Sequence, residues 1–303
     1  MSSPLALKAT MAAAAATAAA LTLGVGQASA ACSLSIEPAQ DQWVVRYNPY
    51  EDDAVQQRYD VAVVNTGTTD CVGSMRVDLH GEAYGMRQAG GQDRVAYALI
   101  DERSGADVTP RSGQGPRRFG AQPVRLAPGE RGLIRFALAA APEGDLARGF
   151  YSQTAYLSVL ASDGEPMAER PVTLGVEVAA SAVMGLKGEF QRSQGTATID
   201  LGELSSGRRD LNTSLYVKST GGYRVSVSSA NRGRLRLANS NWYVDYRLAL
   251  GAENMDLAQV DTLEVVSRRA RNDSYPLAVS IGDVAGKRAG AYRDTLTFTV
   301  AAL

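Results

Sequence analysis

The stretch RAGAYRDTLTFTV, residues 288–300, decides the reading of this chain. From Thr295 to Val300 hydroxyl and apolar side chains alternate, the period of a strand with one face on a core. A close match, ARGFYSQTAYLSV, occupies 147–159. Aligning Gly149 with Gly290 places Tyr151 on Tyr292, Gln153 on Asp294, Thr154 on Thr295, Leu157 on Phe298 and Val159 on Val300. The shared pattern is G-x-Y-x-[QD]-T-x-x-[LF]-x-V. Glycine opens the turn, the tyrosine is placed to cap a sandwich edge, and the last two apolar positions share a face. The copies lie one ordinary domain length apart. We read them as an internal repeat of two domains, 31–180 and 181–303.

Working outward, the rest of the chain is built from similar short runs. YDVAVVN (59–65), SMRVDLHG (74–81), GLIRFALA (132–139), TLGVEVAA (173–180), TATIDLG (196–202), SLYVKS (214–219), YRVSVSS (223–229) and WYVDYRLAL (242–250) all alternate, and turn-forming residues separate them. Only MDLAQV (255–260) hints at a helical turn. The expected class is all-β, with a sandwich in each domain preferred to a closed barrel because the strand spacing is uneven. After the first copy the chain turns at Asp163–Gly164 into a further alternating strand, which closes the first domain with a hairpin. After Val300 come only Ala301, Ala302 and Leu303. The second sandwich is therefore expected to lack its final strand and to expose an unpaired edge, a template for another chain. Tyr292, Leu296, Phe298 and Val300 are its candidate acceptor residues.

Composition narrows the function. Lys8, an Ala-rich apolar run and the small residues Ala28, Ser29 and Ala30 read as a secretory signal peptide over 1–30. Lys and Arg number 31 against 32 Asp and Glu, so no nucleic-acid partner is expected. The two cysteines, Cys32 and Cys71, read as one disulfide in an exported protein. It is worth roughly 3–4 kcal/mol in the chain-entropy picture. A single histidine, His80, cannot assemble a zinc-type cluster with bonded cysteines. GDVAGKR (282–288) fails the phosphate-loop spacing. We therefore expect no enzyme, no metal and no cofactor. Two loops have the composition of binding surfaces: GEAYGMRQAGGQDR (81–94), with Tyr84 and Met86, and RSGQGPRRFG (111–120), with Arg117, Arg118 and Phe119. NPYEDDAVQQR (48–58) is a third candidate.

The runs LYVKSTGGYRVSVSSANRGRLRL (215–237) and AGAYRDTLTFTV (289–300) resemble the spore-coat-protein-U-like pilin domain of archaic chaperone–usher fimbriae. The resemblance covers most of 183–303. It implies an incomplete immunoglobulin-like sandwich whose groove is filled first by a periplasmic chaperone. At the outer-membrane usher, a strand from the adjacent pilin subunit then takes the chaperone's place. This sequence departs from the pattern in two ways. Its cysteines lie in the first domain, where a first-to-second-strand bridge would fall. CSLSIEP (32–38) already reads as strand, which leaves little room for a donor extension. A subunit that accepts but does not donate belongs at a fimbrial tip, exported through the periplasm to the cell surface. Its first domain would be an adhesin for a host or abiotic surface ligand. Two alternatives stay open. VVNTGTTDCVGSMRVDL (63–79) with VRLAPGERGLIRF (124–136) loosely resembles the first domain of a periplasmic fimbrial chaperone, and a secreted two-module lectin would share the architecture.

Overall fold

The structure, a computed structural model, describes residues 32–51, 56–111, 122–140, 142 and 144–303. The expected signal segment, the candidate residues Arg117, Arg118 and Phe119, and residues 52–55 of the third loop lie outside the described residues. The described residues form strands and turns, with no helix.

The N-terminal domain contains β1 (Leu34–Pro38), β2 (Gln42–Tyr47), β3 (Gln56–Asn65), β4 (Cys71–Asp78), β5 (Met86–Arg87), β6 (Arg94–Val95), β7 (Tyr97–Asp101), β8 (Ala106–Asp107), β9 (Pro123–Leu126), β10 (Arg131–Ala140), β11 (Gly149–Leu160) and β12 (Pro166–Val178). One sheet runs β1-β3-β10-β7-β8 and the other β2-β12-β11-β4-β9. All neighbours are antiparallel except β2 and β12, which pair in parallel from Gln42–Thr173 to Tyr47–Val178. The alternating side chains of both sheets meet in one core. Trp43 is its centre: the ring stacks on Tyr59 at 5.1 Å and tilts against Phe136 at 5.5 Å. Its indole N–H donates to the Gln40 carbonyl at 2.9 Å, so burial leaves no donor unpaired. Asn65, fully buried at the end of β3, donates to the Thr69 and Leu126 carbonyls and pins the turn before β4 to the end of β9.

Cys32 and Cys71 form the expected disulfide, with Cα atoms 5.2 Å apart. It does not join the first strand to the second. Cys32 precedes β1 in one sheet and Cys71 opens β4 in the other, so the bridge ties the two layers together.

The C-terminal domain contains β13 (Ala182–Gly188), β14 (Gln191–Ser193), β15 (Thr196–Thr198), β16 (Gly207–Ser219), β17 (Tyr223–Ser229), β18 (Arg234–Leu237), β19 (Tyr243–Leu250), β20 (Glu253–Met255), β21 (Asp261–Val265), β22 (Arg271–Ile281), β23 (Tyr292–Arg293) and β24 (Leu296–Ala302). Its larger sheet runs β13-β16-β22-β19-β18-β23, and the smaller one β21-β17-β24. A separate core lies between them, built on Val217, Tyr223, Val225, Val227, Leu250 and their neighbours. Among the described residues no strand pairs across from 34–178 to 182–302.

Two sequence expectations are corrected here. MDLAQV is a turn. The Asp256 carboxylate accepts the Ala258 N–H at 3.0 Å and Asp261 accepts the Asp256 N–H at 2.7 Å, so side chains take the bonds a helix would need. TATIDLG is strand only over Thr196–Thr198, because Asp200 caps the Gly202 N–H at 2.8 Å and turns the chain.

Replacing both cysteines by alanine is expected to destabilise the N-terminal domain by about 2–4 kcal/mol. The melting of the C-terminal domain should be unchanged. Denaturant titration followed by mass-mapped proteolysis checks both halves of this statement.

Candidate functional site

The repeated motif is repeated in three dimensions. Tyr151 donates its hydroxyl hydrogen to the Ala147 carbonyl at 2.9 Å, and Tyr292 donates to the Arg288 carbonyl at 2.8 Å, each four residues back along the chain. Gln153 and Asp294, aligned in sequence, are both polar hubs. The Gln153 side-chain oxygen accepts from Tyr97 on β7 and from the Gly85 N–H, and its amide donates to the Ala83 carbonyl at 2.7 Å. Asp294 accepts from Tyr246 on β19 at 2.7 Å, from Ser229, and from the N–H groups of Asn231 and Thr295. Burial, then the carboxylate of Asp294, pushes the Tyr246 phenol far above its ordinary range, so it stays a donor.

The two sheets also correspond strand by strand. In the first domain the order is β2-β12-β11-β4, and in the second it is β24-β17, with β24 in the place of β11 and β17 in that of β4. β11 is paired on both edges, by β12 on one side and by β4 and β5 on the other. β24 pairs with β17 alone, from Leu296–Ser229 to Ala302–Tyr223. Among the described residues nothing occupies the positions that β12 and β2 hold in the first domain. The consequence is visible in burial. Ala155, Leu157 and Val159 on β11 are each 0% exposed, whereas Leu296, Phe298 and Val300 on β24 are only half-buried. β13, the edge of the larger sheet, comes within 8 Å of β24 without pairing, and its Ala182, Met184 and Leu186 are half-buried too. The apolar side chains of the two open edges pack half-buried against the core, and this seam is called the groove below. Completing the burial of each leucine- or phenylalanine-sized group there would contribute roughly 1 kcal/mol. The free N–H and C=O groups of β24 would add a ladder of hydrogen bonds.

The structure places the other candidates as follows. Tyr292 stands apart from the groove row: it lies on β23, which pairs with β18 in the larger sheet. Met86 is fully buried core, because β5 pairs with both β6 and β11 and turns its side chain inward. Tyr84 is half-buried, and its hydroxyl bonds the backbone of Tyr97 at both N–H and C=O. The 81–94 loop thus braces the first domain, and Met86, named above as a binding candidate, is core and not surface. Neither Tyr84 nor Met86 showed this in sequence, because β5 and β6 are two residues long each, too short to leave an alternating pattern. His80 sits in the turn after β4, stacked on Tyr156 at 3.6 Å with Nε2 3.1 Å from Glu169. Among the described residues no group of three His, Cys, Asp or Glu could hold a metal ion.

Beneath β17, the acceptor strand's one partner, lies a phenol–carboxylate cluster. Tyr223 donates to Asp273 at 2.7 Å and meets the Tyr275 hydroxyl, and Arg271 clamps Asp273 through two nitrogens at 2.6 and 2.9 Å. Burial alone would raise the Asp273 carboxyl, but Arg271 and Tyr223 together hold it below its ordinary value of 3.8.

No protein-family model matches the chain, and no curated protein matches it. Among solved structures it is similar to the CsuC–CsuE chaperone–tip adhesion subunit pre-assembly complex of the archaic Csu pili of Acinetobacter baumannii. The identity is 12% and the TM-score 0.47, over 89% of this chain and 99% of that one. The CupB6 tip adhesin from Pseudomonas aeruginosa gives 12% identity and a TM-score of 0.37, over 89% of this chain and 95% of that one. The CooA pilin subunit from enterotoxigenic Escherichia coli gives 9% and 0.33, over 48% of this chain and 98% of that one. At such values the groove itself has to carry any functional reading.

Leu157→Ala and Leu296→Ala compare the two copies directly. The first is expected to cost about 2–5 kcal/mol, the range for a fully packed leucine, and the second clearly less in the chain alone. Equal costs by denaturant titration would mean that the groove is already filled. In acid, because the folded-state pKa of Asp273 is depressed, its stabilisation is present above 3.8 and lost as pH falls through the lower folded value. Melting of the C-terminal domain below about pH 4 is expected to be steeper in the parent chain than in Asp273→Asn.

Proposed function

We propose that the groove beside β24 accepts a β-strand from another polypeptide and that the protein is a subunit of a chaperone–usher fimbria, placed at its tip. The observation that carries this reading is the contrast between β11 and β24: one motif, fully paired and buried in the first domain, half-paired and half-buried in the second. Main-chain hydrogen bonds to β24 supply affinity, and alternate apolar side chains of the incoming strand supply specificity. A periplasmic chaperone would occupy the groove first, and a neighbouring pilin subunit would replace it at the outer-membrane usher. The resemblance of 215–237 and 289–300 to the spore-coat-protein-U-like pilin domain supports these partners. The N-terminal domain, divided from the second near 180/181 and closed by its own β12, would face outward as the adhesin, non-enzymatic and at the cell surface. A fimbrial chaperone would need both sandwiches closed, and the unpaired edge of β24 opposes that alternative.

Limited proteolysis of the chain from residue 31 onward, made without a chaperone, is expected to remove material beyond about residue 183 first and to spare 34–178. Appending a second copy of residues 161–178 after Leu303 should supply the missing strand in cis. That fusion is expected to gain protease resistance, and its C-terminal melting temperature should rise by roughly 4–8 °C for each kcal/mol contributed. If both domains of the unfused chain resist equally and the fusion gains nothing, the groove is not an acceptor.

A further inference from the structure

The outer face of the larger C-terminal sheet carries a one-sided charge that the groove does not use. Alternation along β18 sends Leu235 and Leu237 toward the core and leaves Arg234 and Arg236 exposed. β19 likewise exposes Asp245 and Arg247 between the buried Val244, Tyr246 and Leu248. The register then places Arg236 directly opposite Arg293 of β23, with Tyr243 on its other side. Lys287 joins the same face, its Nζ 5.1 Å from the Tyr243 ring centre, and the Arg234 guanidinium lies 4.5 Å from that ring. Asp245 answers Arg234 at 3.2 Å. Arg236, Arg247, Lys287 and Arg293 have no ion-pair partner among the described residues.

Like charges directly opposite on neighbouring strands are destabilising. Two other exposed cross-strand arginines face carboxylates, Arg135 with Asp60 and Arg224 with Glu264, and where Arg87 faces Arg94 in the first domain the Arg94 guanidinium is taken up by the Ala83 and Gly85 carbonyls. The Arg236–Arg293 pair has no carboxylate partner in the ion pairs of the described residues, so an external anion would relieve a cost already present in the fold. The geometry selects the kind of anion. Strand geometry roots these side chains about 4.8 Å apart across strands and about 6.8 Å apart along them, on an open pleated surface. Trp242 is 41% exposed but by strand alternation falls on the side opposite Tyr243 and Arg236, and Tyr243 itself is held beneath two cations, so among the described residues this row has no apolar anchor of the sort a folded protein partner needs at the centre of an interface. A flexible chain of repeated carboxylates or sulfates fits these demands. We infer that this face binds an acidic polysaccharide, with Arg236 and Arg293 as its central contacts. The face lies at the β23 edge of its sheet, opposite the β13 edge, and neither Arg236 nor Arg293 belongs to the row of Leu296, Phe298 and Val300, so the two readings are tested separately.

The test is retention of the full chain on immobilised heparin and on polygalacturonate, one sulfated and one carboxylated glycan, eluted with NaCl. Poly-L-glutamate and duplex DNA serve as competitors. The parent chain is expected to bind at least one glycan at physiological salt, and Arg236→Ala/Arg293→Ala to lose about tenfold in affinity, about 1.4 kcal/mol. Arg46→Ala/Arg170→Ala, exposed arginines of the N-terminal domain, should bind as the parent does. Removing two facing like charges is also expected to leave the melting temperature equal or higher, whereas a merely damaged fold would lower it. Unchanged binding by the Arg236/Arg293 variant, no retention on either glycan, or stronger competition by polyglutamate or DNA than by the glycans would overturn the assignment.

Discussion

A strand that covers a hydrophobic core has two obligations: its side chains must be buried and its backbone groups must be paired. β11 meets both, because β12 returns along one edge while β4 and β5 hold the other. β24 meets them on one side. Most of what distinguishes the two domains follows from that difference. Leu157 and Leu296 belong to copies of one motif, yet the first is sealed and the second is half-buried. The core of the second domain is otherwise anchored as firmly as that of the first, by the tyrosine bonds to Ala147 and Arg288 and by the hubs at Gln153 and Asp294. The open edge is therefore a local property of a well-specified sandwich.

The hubs show how one framework tolerates a change of chemistry. Gln153 offers an acceptor and two donors, and it reaches the Ala83 carbonyl and the Gly85 N–H of the brace loop as well as Tyr97. Asp294 offers acceptors only, and every neighbour it meets, Tyr246, Ser229 and the N–H groups of Asn231 and Thr295, is a donor. The residue type at this one position matches the hydrogen-bonding sense of its surroundings. In the second domain the loop corresponding to 81–94 is not needed to complete the hub.

Much of this fold was legible in sequence, for a physical reason. Period-two alternation reports burial of one face, so YDVAVVN, YRVSVSS and TLTFTV announced their strands, and two cysteines left a single pairing. The motif at 147–159 and 288–300 was legible because the turn glycine, the corner tyrosine and the hub residue are fixed by local geometry. What escaped was decided by residues far apart in the chain. Met86 reads as a loop residue until Ser152 and Val95 are found beside its strand. TATIDLG alternates well, yet it has one short partner in β14 and a cap at Asp200 that ends it. Leu296, Phe298 and Val300 lie together on one half-buried row of β24. Tyr292 was misplaced because the chain changes sheet between Arg293 and Leu296.

The parallel pairing of β2 with β12 has a mechanical meaning. β12 ends at Val178 and the chain enters β13 at Ala182, so a pull carried by the connecting chain reaches the first domain at the end of β12. There it meets two ladders at once, six parallel positions to β2 and a long antiparallel run to β11. A load along a strand shears all of these bonds together, whereas a load across it would peel them one by one. A load applied through this link along β12 would therefore have to break both ladders together.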